Sequence, residues 1–342
     1  MVAHAIEYVE IYTDDPKKSV DYFASSFGFS EIARSEGADG NSVLLRQGGV
    51  QLMITAGPIT GGFCAAHGDG VANIAFACDD VAATRDRALA ARPRQTALAP
   101  DPLTTVSGFG DIMHTLVQRR TGALRQLPAD RVWTLTAPAE GDSGTSRIQE
   151  IDHVAVCLDA GTLENVVDFY IRAFGFERYY SEYVSVGDQA MYSVVVRSPS
   201  GGITFTILQP DRLKNKGQID EFLIRNGGSG VQHLAFLTAE IASAVREFRA
   251  QGIDFLKAPG TYYDLLGTRM PGMQDEMADL RDVNVLADRD EWGDLLQLFT
   301  RSPYQRRTLF YELIERRGAQ GFGSANIRAL YEAVERERVA ST

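Results

Sequence analysis

The sequence predicts an α+β fold in which four β-α-β-β-β modules pair into two barrel-like domains. The first observation is an internal repeat. Residues 6–29 and 151–176 each give an alternating strand, an acidic turn and an amphipathic helix that ends at the glycine of an F-G-F sequence. The second is the pair GVANIAF (70–76) and GVQHLAF (230–236), each followed by an acidic turn and an Ala/Arg-rich helix. The chain therefore contains four strand-and-helix starts.

The third observation is that strands, and not a further helix, follow these starts. Residues 42–55 and 192–208 each predict a hairpin with a Gly-rich turn. Modules one and two then form an N-terminal domain, 1–120, and modules three and four a C-terminal domain, 148–342. Residues 121–147 have little periodicity and are interpreted as a connector.

A last helix is predicted over residues 324–339. Its apolar residues recur at helical spacing, and Ser324 is a suitable N-cap. The segment directly follows the Gly-rich sequence GAQGFG, which favours a lid over a pocket. A helix that only packs on the outside of the sheet is the alternative.

Composition limits the class of partner and the compartment. The 342 residues carry a formal net charge of -11, and no segment supplies the basic face that nucleic-acid binding needs. No stretch approaches the roughly 20 apolar residues of a membrane span. The three scattered cysteines form no disulfide framework and are interpreted as small buried hydrophobic residues, which predicts a cytoplasmic protein.

Three polar residues in apolar strand contexts predict a metal site: His153 in EIDHVAVCL, His233 in GVQHLAF and Glu312 in TLFYELIER. A single such histidine is usually a hydrogen-bonded core residue. Two imidazoles and one carboxylate together suit a divalent metal with open positions, as in non-haem Fe(II) oxygenases. Zinc is the competing metal. No HExxH sequence is present, which disfavours a zinc peptidase.

The first half of the chain lacks all three ligands. Aligning the repeats places Tyr8 opposite His153, Asn73 opposite His233 and Thr115 opposite Glu312. Core histidines would not be expected to show such a pattern, so one metal site per chain is predicted, in the C-terminal domain. Two further histidines, His67 and His114, are interpreted as structural.

The chain resembles the 4-hydroxyphenylpyruvate dioxygenase and 4-hydroxymandelate synthase group of the vicinal-oxygen-chelate superfamily. The resemblance covers nearly the whole chain and is strongest in GQIDEFL, NGGSGVQHLAF, FLKAPGTYYDLL, LLQLFT and FYELIERRGAQGFGSANIRALYEAVE. It implies that His153, His233 and Glu312 bind Fe(II), with O2 as co-substrate and a small aromatic α-keto acid as substrate. It also implies a substrate cavity lined by Ser193, Gln218, Gln232, Gln297 and Phe322.

The resemblance further implies a choice of product. Ring-attacking members, which form homogentisate, typically have Pro and Asn where this chain has Thr206 and Leu208. In the last helix they have an Asn-Phe pair, and here Asn326 is kept while Ile327 replaces Phe. These departures resemble the 4-hydroxymandelate synthases, which hydroxylate the benzylic carbon.

Two alternatives to this function are kept. One is a dioxygenase that forms homogentisate, and the other is a binding protein of the same superfamily that sequesters a small molecule without turnover. A zinc hydrolase or lyase is the remaining alternative. We expect a homo-oligomer, a dimer, with neither a nucleic-acid nor a membrane partner.

Overall fold

Two eight-stranded sheets, one in each half of the chain, form the fold in a computed structural model. The structure describes residues 3–91, 104–120, 126–136, 146–258 and 260–323, together with residue 326. Within these residues, no helix is long and apolar enough to cross a membrane.

The first sheet contains the strands β1 (Ala3–Tyr12), β2 (Ser30–Gly37), β3 (Gly40–Gln47), β4 (Val50–Ala56), β5 (Gly70–Cys78), β6 (Thr105–Ser107), β7 (Met113–Gln118) and β8 (Thr134–Leu135). Their order across the sheet is β6-β7-β5-β1-β4-β3-β2-β8. The helices of this half are α1 (Pro16–Asp21), α2 (Gly61–His67) and α3 (Val81–Ala91). A π-helical turn, Tyr22–Ser26, continues α1.

The second sheet contains β9 (Glu150–Cys157), β10 (Glu177–Val186), β11 (Gln189–Arg197), β12 (Thr204–Pro210), β13 (Gly230–Leu237), β14 (Leu286–Arg289), β15 (Asp294–Phe299) and β16 (Phe310–Arg317). Their order is β10-β11-β12-β9-β13-β16-β15-β14. The helices are α4 (Leu163–Phe174), α5 (Gln218–Asn226), α6 (Ile241–Ala250), α7 (Gly260–Arg269) and α8 (Gln274–Val283).

The repeat predicted from the sequence is present. All four strand-and-helix starts form, because each of β1, β5, β9 and β13 is followed by a helix. Helix α4 ends at Gly175, whose left-handed φ of 72° is the reason for a glycine there. The two predicted hairpins are the antiparallel pairs β3–β4 and β11–β12. The α+β fold with two curled sheets is therefore confirmed.

The fourth module departs from the prediction that strands alone follow each helix. The additional helices α7 and α8 lie between α6 and β14. The predicted connector also takes part in a sheet, because β8 pairs with β2. The domain boundaries at 120 and 148 stay a prediction. Within the predicted lid, 324–339, only Asn326 is among the described residues.

Aromatic packing between the halves holds the strands that carry the polar site. Phe27, which follows the π-helical turn, lies 5.9 Å, centroid to centroid, from both Phe236 of β13 and Tyr311 of β16. The rings of Phe236 and Tyr311 stack at 5.7 Å. Burying each such ring stabilises the fold by about 1.5–3 kcal/mol. Since side chains alternate along a strand, this packing leaves the opposite face of β13 and β16 for the site.

The three cysteines agree with their interpretation as buried hydrophobic residues. Cys64, Cys78 and Cys157 are all buried and unpaired. Burial raises the pKa of the Cys64 and Cys78 thiols to about 12, which keeps them protonated.

Candidate metal centre and its cavity

Three adjacent central strands bring the predicted ligands together. Ala235 of β13 pairs with His153 of β9 on one side and with Glu312 of β16 on the other. His233 lies two residues before Ala235, so its side chain points to the same face of the sheet. The small side chain of Ala235 leaves room between the three polar groups.

A β-bulge aims two neighbouring residues at this face. The pairing of β13 with β9 shifts between Val231 and His233, so that Gln232 is an extra residue. In a regular strand only one of two neighbours can face a given side, but here both Gln232 and His233 line the same cavity.

The ligand atoms are closely spaced and buried. His153 Nε2 lies 3.3 Å from His233 Nε2, and Glu312 Oε2 lies 3.4 Å from the first and 3.2 Å from the second. Donors bound about 2.1 Å from one ion are about 3.0–3.4 Å apart at octahedral or tetrahedral angles. The donor set therefore fits a single divalent cation without rearrangement of the strands.

The charges of the three groups depend on one another. Burial disfavours the charged form of His153, yet the carboxylates of Glu312 and Asp152 raise its pKa to about 9. Burial acts to raise the pKa of Glu312, but the two imidazoles lower it to about 2. Burial lowers the pKa of His233. Without a metal, the site therefore holds one imidazolium, one carboxylate and one neutral imidazole.

Glu312 is held by a chain of hydrogen bonds. Gln297 donates from Nε2 to Glu312 Oε1 at 2.7 Å, and its own Oε1 accepts from Asn326 Nδ2 at 2.9 Å. Asn326 Oδ1 in turn accepts from the hydroxyl of Tyr262 at 2.9 Å. One carboxylate oxygen is thus fixed by Gln297, and the other faces the two histidines.

His153 has a charged partner, because its Nδ1 lies 2.8 Å from Asp152 Oδ1. Asp152 also receives two hydrogen bonds from Arg316. The pattern of the sequence did not reveal either residue. Asp152 immediately precedes a ligand and Arg316 lies four residues after another, but neither position alone indicates contact.

The triad faces a cavity of about 910 Å³. Seven of the residues predicted to contact substrate line it: Ser193, Thr206, Leu208, Gln218, Gln232, Gln297 and Phe322. The sequence did not single out two aromatic residues of its wall, Phe299 and Phe310. The ring of Phe310 stacks on His233 at 4.9 Å, and Phe322 meets His153 edge-on at 5.3 Å.

The other two residues predicted to contact substrate, Asn326 and Ile327, are not among the described residues that line the cavity. Asn326 is completely buried behind the cavity wall and reaches the site through Gln297. Ile327 lies outside the described residues. Thr206 is buried in the cavity wall, and its hydroxyl has no hydrogen-bond partner among the described residues.

The first half has hydrogen bonds where the second has the triad. The β1–β5 pairing sets Tyr8 against Ala75, and the flanking β5–β7 pairs place Thr115 on the other side of Ala75. This register confirms the alignment of the two halves. Asn73 donates to Thr115 Oγ1 at 2.8 Å, and the Thr115 amide donates back to Asn73 Oδ1 at 3.0 Å. Beside them, Glu10 pairs with Arg131 at 3.1 Å.

His114 and His67 make hydrogen bonds that fit the structural role predicted for them. His114 is completely buried, with its ring nitrogens 3.0 Å from Ile74 O and 2.7 Å from the Tyr170 hydroxyl. His67 contacts Asn226 O at 2.6 Å, which joins the two halves of the chain.

Comparisons with known proteins agree with this geometry. Residues 1–126 match the family described as "Hydroxyphenylpyruvate dioxygenase, HPPD, N-terminal", and residues 150–298 match the "Glyoxalase/Bleomycin resistance protein/Dioxygenase superfamily". A 4-hydroxyphenylpyruvate dioxygenase of Pyricularia oryzae is 34% identical over 80% of this chain and 69% of its own length. The chain belongs to the 4-hydroxyphenylpyruvate dioxygenase family. An Aspergillus fumigatus member is 30% identical over 97% of this chain and 92% of its own length.

Solved structures place the chain within the same family. A triple mutant of 4-hydroxymandelate synthase from Streptomyces coelicolor is 45% identical, with a TM-score of 0.89 over 99% of this chain and 100% of that chain. A fusion of a xylose isomerase-like TIM barrel with 4-hydroxyphenylpyruvate dioxygenase is 26% identical, with a TM-score of 0.78 over 98% of this chain and 53% of the fusion. The chain is accordingly an enzyme of this dioxygenase family and not a sequestering protein.

Proposed function

We propose that the chain converts 4-hydroxyphenylpyruvate and O2 to 4-hydroxymandelate and CO2, using Fe(II) held by His153, His233 and Glu312. One oxygen atom of O2 enters the carboxylate formed at the keto carbon, and the other enters the new benzylic hydroxyl group. CO2 leaves from the substrate's own carboxylate, so the reaction needs no further reductant. The observation that carries the proposal is full-length similarity, at 45% identity, to a 4-hydroxymandelate synthase, in a chain whose triad is intact and faces a cavity.

The donor set supports iron. Two imidazole nitrogens and one carboxylate oxygen, with no thiolate, are the ligands of non-haem Fe(II) oxygenases that leave positions open for substrate and O2. Iron bound there would supply the redox chemistry that lets O2 react with an organic acid. The residues of the chain contribute binding, orientation and exclusion of water.

The cavity suits a small aromatic keto acid. Its walls are partly aromatic, through Phe299, Phe310 and Phe322, which can pack against a ring and exclude water. Its polar groups include the side-chain amide of Gln232, which can orient polar groups of the substrate. Binding in one orientation selects the carbon that reacts.

Leu208 supports benzylic hydroxylation. It lies against Ser193 on the neighbouring strand and belongs to an apolar cluster with Val184, Met191 and Phe222. An apolar wall offers no amide to a polar ring substituent, so the ring can settle in a different place from that in a ring-attacking enzyme, where the resemblance implies Asn.

A homogentisate-forming dioxygenase is the second candidate. The relatives at 34% and 30% identity are named 4-hydroxyphenylpyruvate dioxygenases. Both reactions use the same substrates and the same ligands, and their products are isomers. The two candidates therefore differ in which substrate carbon is hydroxylated and in the side-chain migration that accompanies attack on the ring.

Product analysis tests the proposal. The purified protein, loaded anaerobically with Fe(II), is mixed with 4-hydroxyphenylpyruvate in air-saturated buffer, and the products are separated by chromatography. We expect 4-hydroxymandelate to dominate, since a preference of about 3 kcal/mol between competing transition states gives a ratio above about 100 to one. Homogentisate as the main product would refute the choice of reaction and leave the iron site intact.

Two substitutions sharpen the test. Ile327→Phe, alone or with Leu208→Asn, is expected to divert part of the flux to ring oxidation, because it supplies the aromatic wall and the amide of the ring-attacking members. We also propose that residues 324–339 form a lid over the cavity, and that the protein is a cytoplasmic homodimer.

A further inference from the structure

We infer that Asp152 and Arg316 form a positioning pair that orients the ligand His153 and ties it to the chain segment at residues 319–322. This inference rests on the proposed iron function. It concerns how the ligand is held, and neither residue is a proposed metal ligand. Asp152, with 9% of its side chain exposed, and Arg316, with 19%, are both largely removed from solvent.

Asp152 fixes one nitrogen of the His153 ring. Its Oδ1 lies 2.8 Å from His153 Nδ1, within hydrogen-bond distance. A proton on Nδ1 leaves the lone pair of Nε2 free, and Nε2 is the atom that faces His233 and Glu312. Asp152 thus selects both the tautomer and the plane of the ring that a metal requires.

Arg316 fixes Asp152 through a bidentate contact. Nε and Nη2 donate to the two carboxylate oxygens at 2.6 Å and 2.8 Å. Such a fork holds a carboxylate in one plane, which a single ammonium group cannot do. The orientation of the carboxylate is therefore determined before a metal binds.

The same guanidinium holds the segment that leads to the predicted lid. Nη1 of Arg316 donates to the carbonyls of Ala319 at 3.1 Å and Gly321 at 2.7 Å. The guanidinium lies 5.2 Å from the centre of the Phe322 ring, and that ring meets His153 edge-on at 5.3 Å. One arginine therefore sets the position of a ligand and of the cavity wall beside it.

The other ligands are held differently. Nδ1 of His233 lies 3.3 Å from the neutral Gln232 Oε1, and Glu312 is held by the amide of Gln297. Among the described residues, His153 is thus the histidine ligand whose Nδ1 meets a carboxylate. Loss of Asp152 should act on the site mainly through His153.

The half without ligands gives an independent comparison. By the register of the two halves, Glu7 stands at the position of Asp152, and Arg119 at that of Arg316. The charge types are kept, but the pair is not formed. Arg119 instead lies 3.5 Å from Asp79, and Glu7 accepts from the Gln126 amide at 3.1 Å. The bidentate pair occurs where the metal ligands occur, which a purely structural ion pair would not require.

The test is Asp152→Asn, which keeps the size of the side chain and removes its charge. Co(II) and Fe(II) affinities are measured anaerobically by competition with a chromophoric chelator, and the ligand-field spectrum of the Co(II) protein is recorded. We expect the affinity to fall by about 10- to 100-fold, with a changed Co(II) spectrum.

The matched control is Glu315→Gln, which removes the charge of a buried carboxylate that pairs with the exposed Arg317 on the same strand. It should lower thermal stability without changing either metal readout.

Arg316→Lys provides a second variant if Asp152→Asn does not fold. It keeps the positive charge and loses the fork, so we expect a smaller loss of affinity, about 3- to 10-fold, and poorer coupling of O2 uptake to product. Wild-type metal affinity and spectrum in the folded variants would overturn the inference. Failure of the wild-type protein to bind Co(II) or Fe(II) would instead overturn the proposed function, and the inference with it.

Discussion

Metal binding by this protein should release one proton near neutral pH. With a pKa of about 9, His153 carries a proton at pH 7 in the metal-free protein. Glu312, with a pKa of about 2, is already ionised, and His233, whose pKa is lowered, is largely neutral. A metal must therefore displace the proton on Nε2 of His153, while the proton on Nδ1 stays in the hydrogen bond to Asp152. Since that proton competes with the metal, affinity should rise with pH up to the pKa of His153 and become constant above it.

The size of this effect follows from the same pKa. Each pH unit below about 9 costs about 1.4 kcal/mol of binding free energy, so affinity at pH 7 should be about 100-fold below its plateau. Between about pH 6.5 and 8 the affinity for Co(II) should rise about 30-fold. Titration calorimetry in buffers of different ionisation enthalpy measures the proton count directly. A pH-independent affinity, or a proton count near zero, would contradict the charge state derived for His153.

Three further predictions concern the ligands, the predicted lid and the hydrogen bond to Glu312. His233→Ala should lose iron during desalting and show no substrate-dependent O2 uptake, and turnover at the parent rate would exclude His233 as a ligand. Deletion from Ser324 onward should leave a folded protein that binds iron but couples O2 use poorly to product, whereas full coupling would mean that the segment only packs. Gln297→Leu should weaken metal binding about 10-fold or more because Glu312 loses its donor. Gln47→Leu, which removes two buried hydrogen bonds that involve none of the ligands, should lower only thermal stability.

The three residues that the sequence predicts as ligands lie together in the structure, and the internal repeat is what identified them. Each ligand lies in a strand whose counterpart in the first half has a different residue, and the strand register confirms that alignment. Hydrophobic periodicity also predicted the strand-and-helix repeats at residues 6–29 and 151–176 and both hairpins. These features depend on local sequence, which alternation and turn residues reveal directly.

Features that depend on distant contacts were not predicted. Asp152 and Arg316 are 164 residues apart, and nothing in their spacing indicates a bidentate pair. The helices α7 and α8 were also missed. Gly267, Pro271 and Gly272 interrupt the segment that contains them, and the segment has no strong amphipathic pattern. The wall residues Phe299 and Phe310 belong to the site only because β15 and β16 pair beside it.

The ion pair between Glu10 and Arg131 bears on whether the first half could be redesigned to bind a metal. Arg131, from the predicted connector, also bonds to Ser42 and Thr55, and its largely buried guanidinium lies near Tyr8. Ligand-type residues at positions 8, 73 and 115 would then lie beside a carboxylate whose charge a guanidinium already neutralises. Substitutions at these three positions alone would therefore not reproduce the open site of the second half, because Arg131 fills the space beside them.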